Sequence, residues 1–414
     1  MTAVPQSPSP SSHAAAPARP PLMLSLGFRP FFLLAGLHAA GALALWALWL
    51  GIHQAGGLVD AVTLAPPPFQ WHAHEMLFGF ATAAVAGFLL TAVPNWTGTA
   101  PIQGWRLGLL VAAWLAGRAA VWFSAGLPAP LVLAVDAAFL PLLAAMQGPA
   151  IVRAGKPRNL VFVALLLALA AANVLSHLGM MDVLDGGPQA GQRLAVGVLV
   201  VMMTVIGGRV TPAFTGNWLR ARGVEPGATP AWLNAAAIAT AVAWGIGDAV
   251  AAPDALRGAV AALAAVATFA RLATWRGWLT AREPLLWVLH LGGLWLGLGF
   301  ALNAAHLLGA DAVPAGAALH AFTAGAAGTL ILGVMSRATL GHTGRALTAD
   351  RLLTAAFVLV ALAAAFRVLA PIFAPQWYLG AMVTGGVLWV AGYGLFVVRF
   401  APMLTAPRAD GRPG

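Results

Sequence analysis

Long runs of apolar residues, separated by short polar segments, extend along the chain from about residue 24 to residue 403. A helix that crosses a bilayer needs about 20 mostly apolar residues, and these runs have that length. The pattern predicts twelve such helices, at about 24–50, 71–95, 105–125, 129–152, 158–180, 189–216, 230–252, 255–281, 284–309, 315–338, 350–372 and 376–403. We therefore expect an all-α polytopic membrane protein with one membrane domain at 23–403. Residues 1–22, rich in Pro, Ser and Ala, are predicted to form a disordered tail, and residues 404–414 a second tail.

Composition supports the membrane class and excludes others. Hydrophobic residues make up 60% of the 414 residues and charged residues only 8%, whereas a soluble domain carries about 25% charged residues. This balance excludes a soluble enzyme, a disordered protein and a nucleic-acid binder. The chain has no Cys, so it cannot hold a disulfide, an iron–sulfur cluster or a thiolate copper site. Any bound metal must use His, Met, carboxylate or backbone ligands.

The formal charge of +10 is distributed asymmetrically between alternate loops. Arg and Lys concentrate in both tails and in the loops on the same side, at Arg19, Arg106, Arg153, Lys156, Arg158, Arg220, Arg222, Arg276, Arg282, Arg337, Arg345, Arg351, Arg408 and Arg412. The opposite loops carry Asp60, Asp182, Asp185, Asp254 and Asp311, with Arg193 and Arg257 as their basic residues. Positive charge in short loops marks the cytoplasmic side of a membrane. The sequence thus predicts cytoplasmic termini, and the net charge reflects topology and anionic lipid rather than a ligand site.

Two helix-end motifs recur along the chain. The segments 209–216 and 337–344 both read R-x-T-x-x-x-T-G, and the segment ending at Gly98 keeps the final Thr-Gly. In the preceding helices, Asn173 and Asn303 are each followed by a His and a Gly at similar spacing. Because both motifs recur at the same interval along the chain, they predict three four-helix units, at about 24–152, 157–281 and 284–403. The alternative is that Gly, Thr and Pro are simply common at membrane helix ends.

Five histidines are predicted to lie near the outer ends of helices, at His72, His74, His177, His306 and His320. Imidazole is a good ligand for iron, copper and zinc, and ionisable groups within a membrane usually mark function. Residues two apart on a helix point about 200° apart, so His72 and His74 are expected to face different centres, unless one binds metal while the other only hydrogen-bonds. The plainer alternative is that each histidine is a hydrogen-bonded packing residue.

Three charged residues accompany these histidines. Glu75 follows His72 by three residues, so it is expected to share the face of His72 and to orient its imidazole or to relay protons. Arg118 and Asp136 lie at one depth across a short hairpin of predicted helices. We expect a structural ion pair between them, with a haem-propionate anchor at Arg118 as the functional alternative.

Several motifs together resemble the NnrS family. They are the segments Gly-Phe-Arg-Pro-Phe-Phe at 27–32, Trp-His-Ala-His-Glu-Met at 71–76, Pro-Asn-Trp-Thr-Gly at 94–98, Gly-Arg-Val-Thr-Pro at 208–212 and the segment 336–345. The resemblance implies a bacterial inner-membrane protein of twelve helices that contains haem and copper. It also implies a role in denitrification and in protection against nitric oxide. It does not specify a reaction, so whether the chain is an enzyme stays open.

Combined with this resemblance, the histidine positions predict a cofactor arrangement toward the periplasmic half. His74 and His320 lie 24 residues before Gly98 and Gly344, which makes them equivalent and the expected axial ligands of a haem. His72, His306 and His177 are the expected copper ligands. The expected partners are the lipid bilayer, nitric oxide or a related small molecule, and a redox partner, without nucleic acid.

The resemblance leaves a fold analogy and two competing functions. Twelve helices in three arcs also resemble the main subunit of haem–copper oxidases and nitric oxide reductases, but this chain has no His on helices six and seven. A proton-coupled secondary transporter without a redox cofactor would suit twelve spans and buried charges. An assembly factor that binds the same metals transiently is the third alternative.

Overall fold

The computed structural model describes residues 20–59 and 63–412, and this part of the chain is helical without a β-strand. The all-helical prediction is thus confirmed for the described residues. Most of the tail predicted at 1–22, as well as Arg19 and Asp60, lies outside them. The long helices are α1 Phe28–Gln54, α2 Pro68–Thr97, α3 Trp105–Trp122, α4 Ala129–Arg153, α5 Pro157–Met180, α6 Gln189–Arg220, α7 Ala231–Ala249, α8 Asp254–Thr274, α9 Pro284–Leu307, α10 Ala315–His342, α11 Arg351–Phe373 and α12 Pro375–Leu404.

Ten of these helices are long and apolar enough to cross a membrane. The other two, α3 and α7, are helical as predicted but less apolar. Arg106 and Arg118 lower the mean hydropathy of α3, while Asn234 and Asp248 lower that of α7. The chain is therefore a multi-pass membrane protein with ten candidate spans, and the count of twelve stays a prediction.

The start of the first helix and the end of the last lie at the same end of the bundle, here called the tail face. Nη1 of Arg29 donates hydrogen bonds to the carbonyl oxygens of Leu404 at 2.7 Å and Ala406 at 2.9 Å. Arg408 also donates to the carbonyl of His342, at 2.8 Å. Because both ends of the membrane domain lie at the tail face, the chain must cross the bundle an even number of times.

Arg408 forms an ion pair with Asp410 at the tail face. Its two hydrogen bonds to Asp410 lower the pKa of that carboxyl to about 2, so the pair stays charged.

Helices α2, α6 and α10 form the centre of the bundle. In their most apolar windows 72%, 67% and 67% of residues are buried, against 61% for α9 and 33–44% for the other candidate spans. Each of the three central helices contacts the other two. They are the second, sixth and tenth helices, which is the spacing that four-helix units would produce. The three-unit repeat itself stays a prediction.

Two of the central helices share a local irregularity. A seven-residue π-helical segment begins at Glu75 in α2 and another begins at Ala321 in α10, in each case one residue after a histidine. By contrast, α6 is α-helical throughout. A π segment changes the register of the side chains around it and is frequent at functional sites. The two π segments therefore mark the positions of His74 and His320 as candidate functional sites.

Close helix packing generates a first prediction at Gly191 in α6. A Cβ there would overlap the backbone of Ala172 and Ser176 in α5. Gly191→Ala should therefore destabilise the protein by about 1–3 kcal/mol, measured as a lower thermal midpoint in detergent. Gly41→Ala in α1 is the matched control, because apart from the nearby backbone of its own helix and its chain neighbours no atom of the described residues lies within 4 Å of its Cβ position. Equal midpoints for the two variants would contradict this packing.

Candidate functional site

Helix α2 presents two histidines to two different surroundings. His72 is half-buried and lines a cavity, whereas His74 is completely buried among charged side chains. Since the two residues are two positions apart on a helix, they point in nearly opposite directions. The prediction that they face different centres agrees with this arrangement.

The charged side chains around His74 form what we call the charge cluster: His74, Glu75, Arg118, Asp136 and His177. The guanidinium of Arg118 bridges the two carboxylates, with Nη1 donating to Glu75 Oε1 and Nη2 to Asp136 Oδ1. The predicted ion pair between Arg118 and Asp136 is therefore present. It joins α3 to α4, and the bond to Glu75 adds α2.

Both histidines of the charge cluster approach the other oxygen of Asp136. Its Oδ2 lies 3.2 Å from Nε2 of His74 and 2.9 Å from Nε2 of His177. Each of the three residues offers one ligand atom within 4.8 Å of the other two, and all three residues are buried. Two imidazole nitrogens and a carboxylate oxygen are a ligand set for zinc or copper. Asn173 completes the contacts, with Nδ2 donating to the same Oδ2 at 2.9 Å.

Glu75 is fixed from several sides. Its Oε1 lies 3.3 Å from Nδ1 of His74, and its Oε2 accepts a hydrogen bond from Nε1 of Trp122 at 2.7 Å. The Nε2 of His38 also lies 3.1 Å from Oε2. The described residues give Glu75 contacts with His74, His38, Arg118 and Trp122, and not with His72, whose imidazole it was expected to orient. Its other expected role, as a proton relay, stays a prediction.

Two glycines make room for the charge cluster. A Cβ at Gly117 would lie 2.7 Å from Oδ1 of Asp136, and one at Gly79 would overlap His38 and lie 3.1 Å from Nη1 of Arg118. Sequence reasoning did not single out either glycine. Nothing in the local pattern shows which charged groups a glycine will face, so no sequence signal identifies them.

Both ring nitrogens of His74 face oxygen atoms, Nδ1 toward Oε1 of Glu75 at 3.3 Å and Nε2 toward Oδ1 of Asn173 at 3.1 Å. Each nitrogen therefore carries a proton, and His74 together with Arg118 balances the charges of the two carboxylates. This balance is needed, because Glu75 is 0% exposed, Asp136 3% and Arg118 8%.

A cavity of about 670 Å³, here called the central cavity, lies where α2, α6 and α10 meet, toward the end of the bundle opposite the tail face. Its polar lining includes His72 from α2, His306 from α9 and His320 from α10. Trp46, Phe80, Phe322 and Trp389 contribute aromatic walls. This volume and this mixture of apolar walls with a few polar groups are typical of small-molecule sites.

Two of the cavity histidines are held in one tautomer. Nδ1 of His320 lies 2.6 Å from the carbonyl oxygen of Gly316, and Nδ1 of His306 lies 2.9 Å from that of Val313. A carbonyl only accepts hydrogen bonds, so each Nδ1 carries the proton and each Nε2 keeps a lone pair. This is the usual state of an imidazole that ligates a metal. His72 stacks on Trp46 with ring centroids 4.6 Å apart, and its buried Nδ1 has no hydrogen-bond partner in the described residues.

Arg367 of α11 also lines the central cavity, and sequence reasoning missed it. Its Nη1 contacts Met382 Sδ and lies 3.3 Å from Oη of Tyr378. No carboxylate of the described residues lies within ion-pair distance of it. A guanidinium without a carboxylate partner beside a cavity suits an anionic ligand group.

The predicted site residues are thus divided between two places. His74, Glu75, Arg118, Asp136 and His177 meet in the charge cluster. The central cavity is lined instead by His72, His306 and His320. The pair His74 and His320, predicted for haem, is therefore split between the two. The set His72, His306 and His177, predicted for copper, is split in the same way.

Fold and sites define a multi-pass helical membrane protein with an internal ligand cavity and a buried cluster that could bind a metal. The family model described as NnrS protein matches residues 22–408, which is nearly the whole chain. The chain therefore belongs to the NnrS family, and the resemblance seen in its motifs is confirmed. No curated protein matches it significantly.

The charge cluster generates a second prediction. Arg118→Met leaves two buried carboxylates without their guanidinium and should destabilise the protein by about 3–5 kcal/mol. The measurement is unfolding by SDS, followed by tryptophan fluorescence. Arg106→Met is the control, because Arg106 is an exposed arginine of the same helix. Its effect should stay within about 0.5 kcal/mol. A similar, small effect of both substitutions would contradict the bridging role of Arg118.

Proposed function

We propose that the chain is a haem- and copper-binding membrane protein of the nitric oxide response, with the haem in the central cavity. Family membership supports the cofactors and the nitric oxide role. The observation that carries the haem site is His320 in the wall of the cavity: its Nδ1 is held by the carbonyl of Gly316, which leaves an Nε2 lone pair for ligation, and His72 lines the same cavity.

The central cavity fits a haem in size and chemistry. Its volume of about 670 Å³ lies within the range of roughly 300–1,000 Å³ for cofactor and ligand sites. Aromatic walls suit a flat, apolar macrocycle. Arg193 and Arg367 at its lining would pair with carboxylates of the ligand. The unpartnered, buried Nδ1 of His72 is a further group that a bound ligand would satisfy.

We assign His72 and His320 as the haem-holding histidines, in place of the predicted pair His74 and His320. The support is that His72 and His320 line one cavity and lie on two helices, α2 and α10, that contact each other, whereas His74 is buried in the charge cluster. Arg367 also replaces Arg118 as the propionate anchor, because Glu75 and Asp136 already engage Arg118. His306 supplies a third Nε2 lone pair to the same cavity.

The cavity surroundings suit a small neutral gas. Haem iron with an exchangeable position binds diatomic molecules such as nitric oxide. The residues of this chain would hold the macrocycle, present the imidazoles in one tautomer and exclude bulk water through the aromatic walls. Nitric oxide partitions into lipid, so a site inside the membrane domain is accessible to it.

We further propose a location and an orientation. The basic loops and tails would face the cytoplasm of a bacterial inner membrane, with both termini inside. The central cavity, which lies toward the opposite end of the bundle, would then lie in the periplasmic half. If the bound molecule is converted chemically and not only held, a redox partner would supply or accept the electrons.

A proton-coupled transporter without a redox cofactor is the second candidate function. The observation that favours it is the buried network of Glu75, Arg118 and Asp136, since ionisable groups within a membrane often mark proton or substrate pathways. The carbonyl-held histidines of the cavity favour the first candidate, because a carrier does not need metal-ready imidazoles.

The haem proposal predicts the effect of His320→Gly. Removing the imidazole should abolish or shift the Soret and reduced bands of the purified protein, and added imidazole should restore them. The matched control is His53→Gly, because His53 is exposed in the last turn of α1 and stacks only on Trp49 in the described residues. Unchanged bands in the His320→Gly protein would contradict the assignment.

The proposal also predicts the effect of Arg367→Met. One charge-assisted hydrogen bond contributes about 1.5–3 kcal/mol, so haem affinity should fall roughly tenfold to hundredfold. The measurement is haem transfer to an excess of apomyoglobin, followed by its absorbance. Arg351→Met in the same helix is the control, because Arg351 is exposed. Equal haem loss from both variants would exclude Arg367 as an anchor.

A further inference from the structure

We infer that the charge cluster is a copper site, separate from the central cavity, with His74, His177 and Asp136 as its protein ligands. The inference rests on the copper part of the proposed function and assigns that metal to named atoms. These are Nε2 of His74, Nε2 of His177 and Oδ2 of Asp136.

The spacing of these atoms is close to that of a metal site. Metal–nitrogen and metal–oxygen bonds of about 2.0–2.1 Å place neighbouring ligand atoms about 3.3–3.6 Å apart in tetrahedral or trigonal sites. Oδ2 of Asp136 lies 3.2 Å from one histidine nitrogen and 2.9 Å from the other. If the three ligand atoms moved apart by a few tenths of an ångström, an ion would therefore fit between them.

The surroundings of the three ligands are those of a metal centre. The ring of His74 is oriented by Glu75 through the nitrogen that would not bind the metal, since its Nδ1 lies 3.3 Å from Oε1 of Glu75. Metal-bound histidines commonly donate their second ring N–H to a carboxylate in this way. Arg118 engages Oδ1 of Asp136, while Oδ2 faces the two imidazoles and accepts a hydrogen bond from Nδ2 of Asn173. The absence of a Cβ at Gly117 allows Asp136 to approach α3.

The charge balance of the buried cluster favours a singly charged ion. An ion that binds Nε2 of His74 replaces the proton on that nitrogen. A cuprous ion in the place of this proton leaves the charge cluster neutral, whereas a divalent ion would leave it at +1. Neutral sites are favoured in a low-dielectric interior, and imidazole ligands suit copper.

The test uses the full-length protein in detergent, treated with a chelator and then titrated with cuprous ion against bicinchoninate. Wild-type protein should bind one equivalent at this site. His177→Gln should weaken that binding at least tenfold, because it removes one ligand. The substitution exchanges one neutral side chain for another, so the bridge of Arg118 to Glu75 and Asp136 is left intact. His53→Gln is the matched control, with copper binding unchanged, because His53 is exposed at the end of α1 and lies outside both the charge cluster and the central cavity.

Spectroscopy and thermal unfolding test the copper site independently of the titration. The Soret band of His177→Gln should equal that of wild type, and its thermal midpoint shows whether it is folded. Electron paramagnetic resonance of the oxidised, copper-loaded wild-type protein should show coupling to two nitrogens, independently of any variant. Absence of copper binding, or undiminished copper binding in His177→Gln, would overturn the site. Haem without copper would defeat this inference alone, and copper without haem would defeat only the haem proposal.

Discussion

The bridge that Arg118 makes between Glu75 and Asp136 is the interaction on which the candidate sites depend. It joins α2, α3 and α4, and His177 and Asn173 of α5 attach to the same carboxylate. In a membrane interior, a carboxylate that loses its guanidinium has no water to replace it. The bridge therefore holds four helices in one register, and it also fixes the direction in which His74 faces.

Helix α2 connects the two sites because neighbouring histidines point to opposite sides. His72 serves the central cavity, while His74 belongs to the charge cluster. The central position of α2, α6 and α10 brings the cavity between them. One short segment thus contributes a histidine to both the ligand cavity and the candidate copper centre.

Much of this arrangement could be predicted from the sequence, for reasons that depend on helix geometry. Span length fixes the depth of each residue, so the Arg118–Asp136 pair could be found across its hairpin. Depth does not give the rotation of a helix, so the sequence did not show which histidines share the central cavity and which share the charge cluster. The π segment at Glu75 and the spaces at Gly79 and Gly117 arise from tertiary packing. Arg367 was missed because its helix contains no histidine to draw attention to it.

The most direct test of the central claim is an optical spectrum of the detergent-purified wild-type protein, as isolated and after dithionite, with iron and copper analysis of the same sample. The account predicts a Soret band, sharpened bands on reduction, and iron and copper each near one per chain. A colourless, metal-free protein from cells supplied with haem and copper would contradict it and would favour the transporter.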